Sequence, residues 1–363
     1  MLERVELTVP TPGICLPSGR LFGGDTPALR HIRFHGIPID WTAPILRNLT
    51  SLMIALTHSQ YSLQTSGDFP HMLSALENMP SLQVLELLCA LPPGPLNTST
   101  IRWISLPALA ALSISDEVDR CANFLDCLVL TGASSIEVWA FPIERHSPRP
   151  DDIPHLLRAL HSRLHNPSDL IPILGIEFSN KNGPVVVYAS LTEDGETPQM
   201  KRQLPRLLLC IRDCSVSEWV PQLLDILPLS GVCTTAIDDA WYLTVEQGHQ
   251  LFDCLVNVRV CQVFGNFSPD FVTLLSPCFP RLEQLCFHRT NFSRWYGVYG
   301  KPDRRLADIL ASGLIERRDA IGKLERLKLK SCFNLNQEII GGYGDSVVGN
   351  VEWDDGYISD HEE

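Results

Sequence analysis

The sequence lacks the features typical of membrane-spanning and nucleic-acid-binding proteins. It contains no run of about 18 apolar residues, so a transmembrane helix is not expected. Basic residues are scarce: 29 Lys and Arg stand against 42 Asp and Glu among 363 residues, a formal net charge of -13. Because phosphate binding needs a basic surface, we expect no nucleic-acid partner. The lack of a long apolar run predicts no membrane partner.

The 12 cysteines form no CxxC pair and their spacing is irregular. Most lie inside apolar runs, such as Cys89 in LELLCAL and Cys254 in LFDCLV. Free thiols buried in a reducing compartment explain this better than disulfides or zinc. The first ten residues hold no basic stretch followed by an apolar one, so no secretory signal is expected. These observations together predict an intracellular protein, in the cytoplasm or nucleus.

Common catalytic motifs are also missing: the sequence has no GxxxxGK[ST] loop, no HExxH and no GxSxG. His155, His161 and His165 lie on a predicted helix, but no carboxylate or Cys completes a metal site at helical spacing. The pair Asp151-Asp152 fits a helix start, and Asp238-Asp239 fits a loop. We therefore predict a protein that is not an enzyme and has no catalytic site, no metal site and no cofactor.

The main feature that is present is a repeated pattern of three apolar residues, spaced as in LxxLxL. Its last two positions are two apart and share one face of a short strand, and the first belongs to the preceding turn. The widest gap leaves room for a degraded copy near Val232-Thr235-Ile237. The copies are Leu29-Ile32-Phe34, Leu49-Leu52-Ile54, Leu82-Leu85-Leu87, Leu109-Leu112-Ile114, Ala133-Ile136-Val138, Ile173-Ile176-Phe178, Leu204-Leu207-Leu209, Leu255-Val258-Val260, Leu282-Leu285-Phe287 and Leu324-Leu327-Leu329.

Helical segments with start signals separate these strands. Ser115 with two following acids opens DRCANFLDCLVL, Ser268-Pro269-Asp270 opens FVTLLSPCF, and Ser217-Glu218 opens WVPQLLDIL. Residues 305–321 form the longest amphipathic stretch. Strand, helix and strand with short links predict parallel strands joined by crossover helices. The alternative is an ordinary α/β domain whose strands happen to be rich in leucine.

The fold class that we predict is α/β: a leucine-rich-repeat-like solenoid over residues 1–340, with parallel strands on a concave face and helices on a convex face. Residues 341–363 differ in composition, since they hold seven acids, five glycines and no Lys or Arg. Such a segment has little apolar material to bury, so it predicts an acidic disordered tail.

Three stretches, residues 21–41, 80–95 and 106–115, together resemble the leucine-rich-repeat half of fungal F-box-like proteins. The motif residues are Phe22, Gly23, Gly24, Pro27, Leu29, Arg30, Pro38, Ile39 and Trp41. The resemblance implies an adaptor, in which an F-box docks onto a cullin-type ubiquitin ligase and the repeats present a protein substrate. No F-box is evident before Leu21, so a ligase partner would require one upstream.

The candidate binding residues lie between the apolar positions of the strands, because alternate side chains point to the opposite face. Strand solubility alone is one explanation of the charged ones. Otherwise Arg326, Lys328 and Lys330 either contact an acidic partner or are screened by the acidic tail. The candidates are His31, Arg33, His35, Met53, Val84, Glu86, Leu88, Arg326, Lys328 and Lys330.

These observations favour a non-enzymatic protein-recognition solenoid that resembles the substrate-binding part of an F-box-type ligase adaptor. Its partner would be a protein lying along the strand face. One alternative is a free-standing interaction scaffold with no ligase connection. Another is an enzyme built on the same repeats, which a deep pocket of converging polar side chains would indicate.

Overall fold

The computed structural model describes residues 2–9, 28–57, 68–94, 102–130, 135–141, 151–164, 175–179, 185–190, 207–211, 216–227, 229–240, 244–293, 295–296, 304–344 and 346–354. The chain folds into two compact units. The first unit contains Met1–Ile171 and Leu204–Cys214, and the second contains Pro172–Gln203 and Ser215–Glu363.

Strands and helices alternate along the chain. The strands are β1 Arg4–Thr8, β2 His31–His35, β3 Ser51–Ala55, β4 Val84–Leu88, β5 Ile104–Ser105, β6 Ala111–Glu117, β7 Leu128–Val129, β8 Ser135–Phe141, β9 Gly175–Ser179, β10 Val185–Ser190, β11 Leu207–Ile211, β12 Thr234–Ala240, β13 Val260–Phe267, β14 Gln284–His288, β15 Trp295–Tyr296, β16 Arg304–Arg305, β17 Leu324–Lys330 and β18 Val348–Trp353. The helices are α1 Asp68–Glu77, α2 Val118–Asp126, α3 Asp152–Leu164, α4 Val216–Ile226, α5 Val245–Phe252, α6 Pro269–Leu274, α7 Leu306–Ala320 and α8 Gln337–Gly342, with 3-10 turns at Pro44–Leu46 and Leu229–Gly231. Among the helices of these ranges, none has the length and apolar character needed to cross a membrane.

In the first unit the strands run parallel in the order β1-β2-β3-β4-β6-β8-β11. Pairing places equivalent positions of the apolar pattern side by side, so that one buried ladder joins Ile32, Leu52, Leu85, Leu112 and Ile136. Each of these side chains is at most 2% exposed. The predicted parallel strands and intervening helices are therefore confirmed in this unit.

The second unit has the strand order β10-β9-β12-β13-β14-β17-β18. β15 and β16 form a separate antiparallel pair. Along the main order the strands are parallel except for β9 and β10, which form an antiparallel pair. The predicted parallel pairing is therefore wrong for β9 and β10. Residues 180–184 join the two strands, and a link this short cannot hold the crossover that a parallel pair requires.

Two copies of the apolar pattern in the second unit can be compared with the prediction. The degraded copy Val232-Thr235-Ile237 is confirmed, since Thr235 and Ile237 pair with Cys261 and Val263 in β13. That register makes Val258-Cys261-Val263 the true copy in β13, and the predicted Leu255-Val258-Val260 is wrong by three residues. Val260 instead lies on the opposite, half-buried face.

A similar turn follows several strands in both units. Gly36, Cys89, Gly265, Arg289 and Ser331 all have positive φ, between 51° and 71°, directly after the last paired residues of β2, β4, the main part of β13, β14 and β17. Glycine adopts this left-handed backbone without penalty, whereas the other residue types pay a steric cost there. Recurrence at equivalent positions shows that the units are built from similar strand-turn elements.

The helix starts agree only in part with the predicted caps. Ser268 accepts a hydrogen bond from the Asp270 amide at 3.2 Å and caps α6, as predicted. Ser115 does not cap α2, because it lies in β6 and Glu117 occupies the N-cap position. The amide of Leu91 and that of Glu117 are instead bound by the buried carboxylate of Asp116, each at 2.9 Å.

The C-terminal segment corrects the predicted domain organisation. Residues 341–363 were expected to be disordered, but Val348–Trp353 forms β18 and pairs in parallel with β17. Val348, Val351 and Trp353 pair with Leu324, Leu327 and Leu329, so they form a further copy of the apolar pattern. This copy buries Val348 to 1% exposure and extends the ordered sheet, which explains why the acidic composition did not produce a disordered segment over residues 346–354.

Candidate functional site

The predicted binding residues of the first unit share one face of the sheet. His31, Arg33 and His35 of β2 are aligned, in order, with Ser51, Met53 and Ala55 of β3 and then with Val84, Glu86 and Leu88 of β4. All of them are half-buried except His31, which is exposed, whereas the alternating residues between them are buried. The structure therefore brings all seven candidates of this unit together with Ser51 and Ala55, and we call this surface the first strand face.

The first strand face is less basic than the sequence suggested. Glu6 of β1 lies beside Arg33, with Oε1 3.7 Å from the guanidinium, and its Oε2 lies 3.3 Å from Arg4. Glu137 of β8 accepts a 2.6 Å hydrogen bond from the Trp139 indole. The face therefore combines paired charges with apolar and aromatic area.

One row along this face is largely uncharged. It joins His35, Ala55, Leu88, Ser115 and Trp139 through the registers of β2, β3, β4, β6 and β8. Trp139 was not among the predicted binding residues. The alternation SIEVWAF in the sequence was the signal that could have placed its indole on this face.

The remaining predicted residues lie on the second unit. Arg326, Lys328 and Lys330 of β17 share a face, which we call the second strand face, and the neighbouring β18 supplies acids to it. Glu352 contacts Arg326 at 3.2 Å and Lys328 at 3.4 Å. Of the alternatives left open by the sequence, contact with the acidic C-terminal segment is observed for Arg326 and Lys328, and an ordered strand supplies it.

An aromatic stack lies on the second strand face beside these cations. The rings of Phe264 and His288 are nearly parallel, 15° apart, with centroids separated by 4.5 Å. Burial, together with the positive charge of Lys330, lowers the pKa of His288 to about 4. His288 is therefore neutral at pH 7 and presents a flat uncharged ring.

A third arrangement was missed by the sequence analysis. In the second unit, His249 Nδ1 lies 2.9 Å from Asp253 Oδ1, and Cys278 Sγ lies 3.3 Å from that oxygen and 3.6 Å from His249 Nδ1. Burial, with the Asp253 hydrogen bond and charge, raises the pKa of Cys278 to about 12. The His–Asp spacing of four on a helix was visible in the sequence, but the approach of Cys278 is produced only by the fold.

The other singled-out residues do not form a site in the described part of the chain. His155 pairs with Asp126 at 2.7 Å, and His161 is an exposed residue of α3. Asp238 and Asp239 lie in β12 rather than in the predicted loop. Of the motif residues behind the family resemblance, Trp41 is buried to 5% exposure. Outside the described residues lie His165, Phe22, Gly23, Gly24 and Pro27.

Comparison with known proteins gave no family assignment. No protein-family model matches the chain, and no curated protein matches it at a significant level.

Proposed function

We propose that this protein is a non-enzymatic recognition module built as a leucine-rich-repeat-like solenoid, and that it binds a protein partner through its strand faces. The observation that carries the proposal is the register of the parallel strands. It aligns half-exposed side chains of mixed chemistry in rows, while the alternating side chains fill the core. Rows on rigid strands give a preorganised surface, which lowers the entropic cost of binding.

The side chains of the first strand face have the composition of a protein-binding surface. Met53, Leu88 and Trp139 supply apolar and aromatic area, and Arg33 supplies a guanidinium. Arg, Met and aromatic residues are enriched at protein interfaces, and Trp and Arg are frequent hot spots. The first strand face is therefore the part of the molecule that we expect to bind most of the partner.

Site-specific photo-crosslinking tests the proposal. A photoreactive residue at position 53 should capture a partner that mass spectrometry then identifies, and Leu88→Glu should weaken binding of that purified partner at least tenfold. The matched control is Val129→Glu, because Val129 is an apolar strand residue that is 43% exposed and lies outside this face. Equal binding by both variants would refute the proposed surface.

The resemblance to fungal F-box-like proteins motivates the more specific form of the proposal, in which the bound protein is presented to a cullin-type ubiquitin ligase. The competing form is a free-standing scaffold. Co-purification of the full gene product with the ligase adaptor subunit distinguishes the two forms. Robust co-purification supports the ligase connection, and its absence under conditions that retain the crosslinked partner supports the scaffold.

A further inference from the structure

The second unit gathers three metal-binding side chains that the strand-face proposal does not use. His249 belongs to α5, Asp253 is the C-cap residue of that helix, and Cys278 lies in the segment after α6. His249 is separated from Cys278 by 29 residues of sequence, so their approach is a product of the fold.

The close approach of the two segments has a clear cause. A Cβ built on Gly248 would lie 1.9 Å from Leu274 Cδ1, so glycine at this position lets α5 pack closely on α6 without displacing the Leu274 side chain. The Cys278 amide then donates to the Leu274 carbonyl at 3.0 Å, which fixes the start of the segment that carries the thiol. Side-chain packing therefore holds α5 in place, and a backbone hydrogen bond holds the segment that carries Cys278.

The distances within the cluster suit a tetrahedral cation. Zinc bonds of about 2.0 Å to nitrogen or oxygen and about 2.3 Å to sulfur place adjacent ligands roughly 3.3–3.7 Å apart. The three donor atoms here are separated by 2.9, 3.3 and 3.6 Å, so shifts of a few tenths of an ångström would complete three corners of the tetrahedron. Side-chain exposures of 41% for His249 and 63% for Asp253 leave the fourth corner open to solvent.

The same geometry argues against a catalytic Cys-His-Asp triad. In such a triad the imidazole uses one nitrogen toward the thiol and the other toward the carboxylate. Here both Cys278 Sγ and Asp253 Oδ1 face Nδ1, so the imidazole cannot take the thiol proton while it donates to the carboxylate. Cys278 is also only 1% exposed, which keeps substrates from the sulfur.

We propose that His249 Nδ1, Asp253 Oδ1 and Cys278 Sγ bind one zinc ion, with water at the fourth position. Thiolate and imidazole ligands select zinc over magnesium and calcium, which prefer oxygen. Binding breaks the Cys278 S–H bond and forms a zinc–thiolate bond, and the proton leaves to solvent. The imidazole binds as the neutral tautomer that carries its proton on Nε2. The ion would fasten α5 to the segment after α6.

Zinc binding by the full reduced chain tests this site, with a competing chelator to measure affinity and cobalt as a spectroscopic probe. The wild-type chain should bind one more zinc equivalent than Cys278→Ser or His249→Gln, and either substitution should weaken this binding by at least about 100-fold. Cobalt should give a thiolate charge-transfer band that Cys278→Ser abolishes. Zinc, but not magnesium, should raise the melting temperature of the wild-type chain.

The control is Cys254→Ser, which removes an exposed thiol next to Asp253 and should leave all three readouts unchanged. Substitution of the buried Cys278 can disturb folding. The decisive variant is therefore His249→Gln, because His249 is half-exposed and its replacement should leave the fold intact. Retention of the extra zinc equivalent, at wild-type affinity, in correctly folded His249→Gln would overturn the proposal.

Discussion

Both units fasten their repeats with buried charged side chains, but the arrangements differ. In the first unit Asp116, which is fully buried, accepts hydrogen bonds from the Leu91 and Glu117 amides. Arg120 of the same unit, 9% exposed, pairs with Glu117 at 3.0 Å and donates to the Leu91 carbonyl oxygen at 2.8 Å. In the second unit Arg317, 2% exposed, donates to the carbonyl oxygens of Leu275, Phe279 and Leu282. An acid and an arginine thus bind both backbone groups of one turn residue in the first unit, whereas in the second unit one arginine binds three carbonyl oxygens.

The apolar cores of the two units also differ. The first unit fills the space beneath its strands with ladders of Ile, Leu and Val. The second unit clusters aromatic rings, with Phe267 4.8 Å from Phe287 and Phe292 5.6 Å from Phe287. Each aromatic ring fills more volume than an aliphatic side chain, so the second unit fills this part of its core with fewer side chains.

The largest expected effect is at Arg317. Arg317→Leu removes the guanidinium that donates to three backbone carbonyl oxygens, so it should lower the free energy of unfolding by about 3 kcal/mol. Urea unfolding measures the loss, and hydrogen exchange should localise it to residues 271–287. The control Arg318→Leu removes a neighbouring arginine that pairs with Asp319 at the surface and should cost less than about 1 kcal/mol. Equal losses in the two variants would contradict the bridging role of Arg317.

Asp116→Asn should have the next largest effect. The amide group offers only one oxygen acceptor, so one of the two buried N–H groups loses its partner at a cost of about 2 kcal/mol. Faster hydrogen exchange at Leu91 or Glu117 would show which amide is released. Asp119→Asn, in the first turn of α2, removes the same charge and should cost about 0.5 kcal/mol. Unchanged protection of both amides in Asp116→Asn would show that the carboxylate is dispensable.

The pH dependence of the second unit should reveal His288. Its pKa is lowered from 6.5 to about 4, so between these values the unfolded chain binds a proton that the folded chain does not. The contribution of His288 to the free energy of unfolding is therefore fully present above pH 6.5 and is lost as the pH falls toward 4. After allowance for partial exposure, this loss should be about 1 kcal/mol. His288→Gln should remove this part of the pH dependence. An imidazole that titrates near 6.5 by NMR would contradict the prediction.

Much of the fold was predictable because burial follows the sequence pattern. Alternate apolar residues in a strand share one face, so Leu85 and Leu87 identify both a strand and its buried side. The same logic placed Arg33 and Glu86 on the opposite face. It failed in VRVCQV, where apolar residues occupy both phases of the alternation and only pairing with β14 selects Cys261 and Val263 as the buried pair.

Other features depend on contacts between distant segments. β9 and β10 read as apolar strands in either direction, so their antiparallel pairing was not visible in the pattern. β18 has the apolar spacing of Val348, Val351 and Trp353, but its acidic surroundings predicted disorder, and pairing with β17 decides the outcome. The approach of Cys278 to His249 likewise depends on tertiary packing, because the two residues are 29 positions apart in the sequence.

The smallest effect concerns Glu352, and it tests how the second strand face differs from the first. Glu352→Gln removes the carboxylate beside Arg326 and Lys328. Exposed ion pairs contribute about 0–1 kcal/mol, so stability should change little, but the chain should elute from an anionic resin at higher salt. Glu325→Gln makes the same change of net charge at an exposed position of β17 outside these ion pairs. A larger shift for Glu352→Gln means that β18 masks a local basic surface, whereas equal shifts mean that only net charge matters and that the cations of β17 form no distinct binding surface.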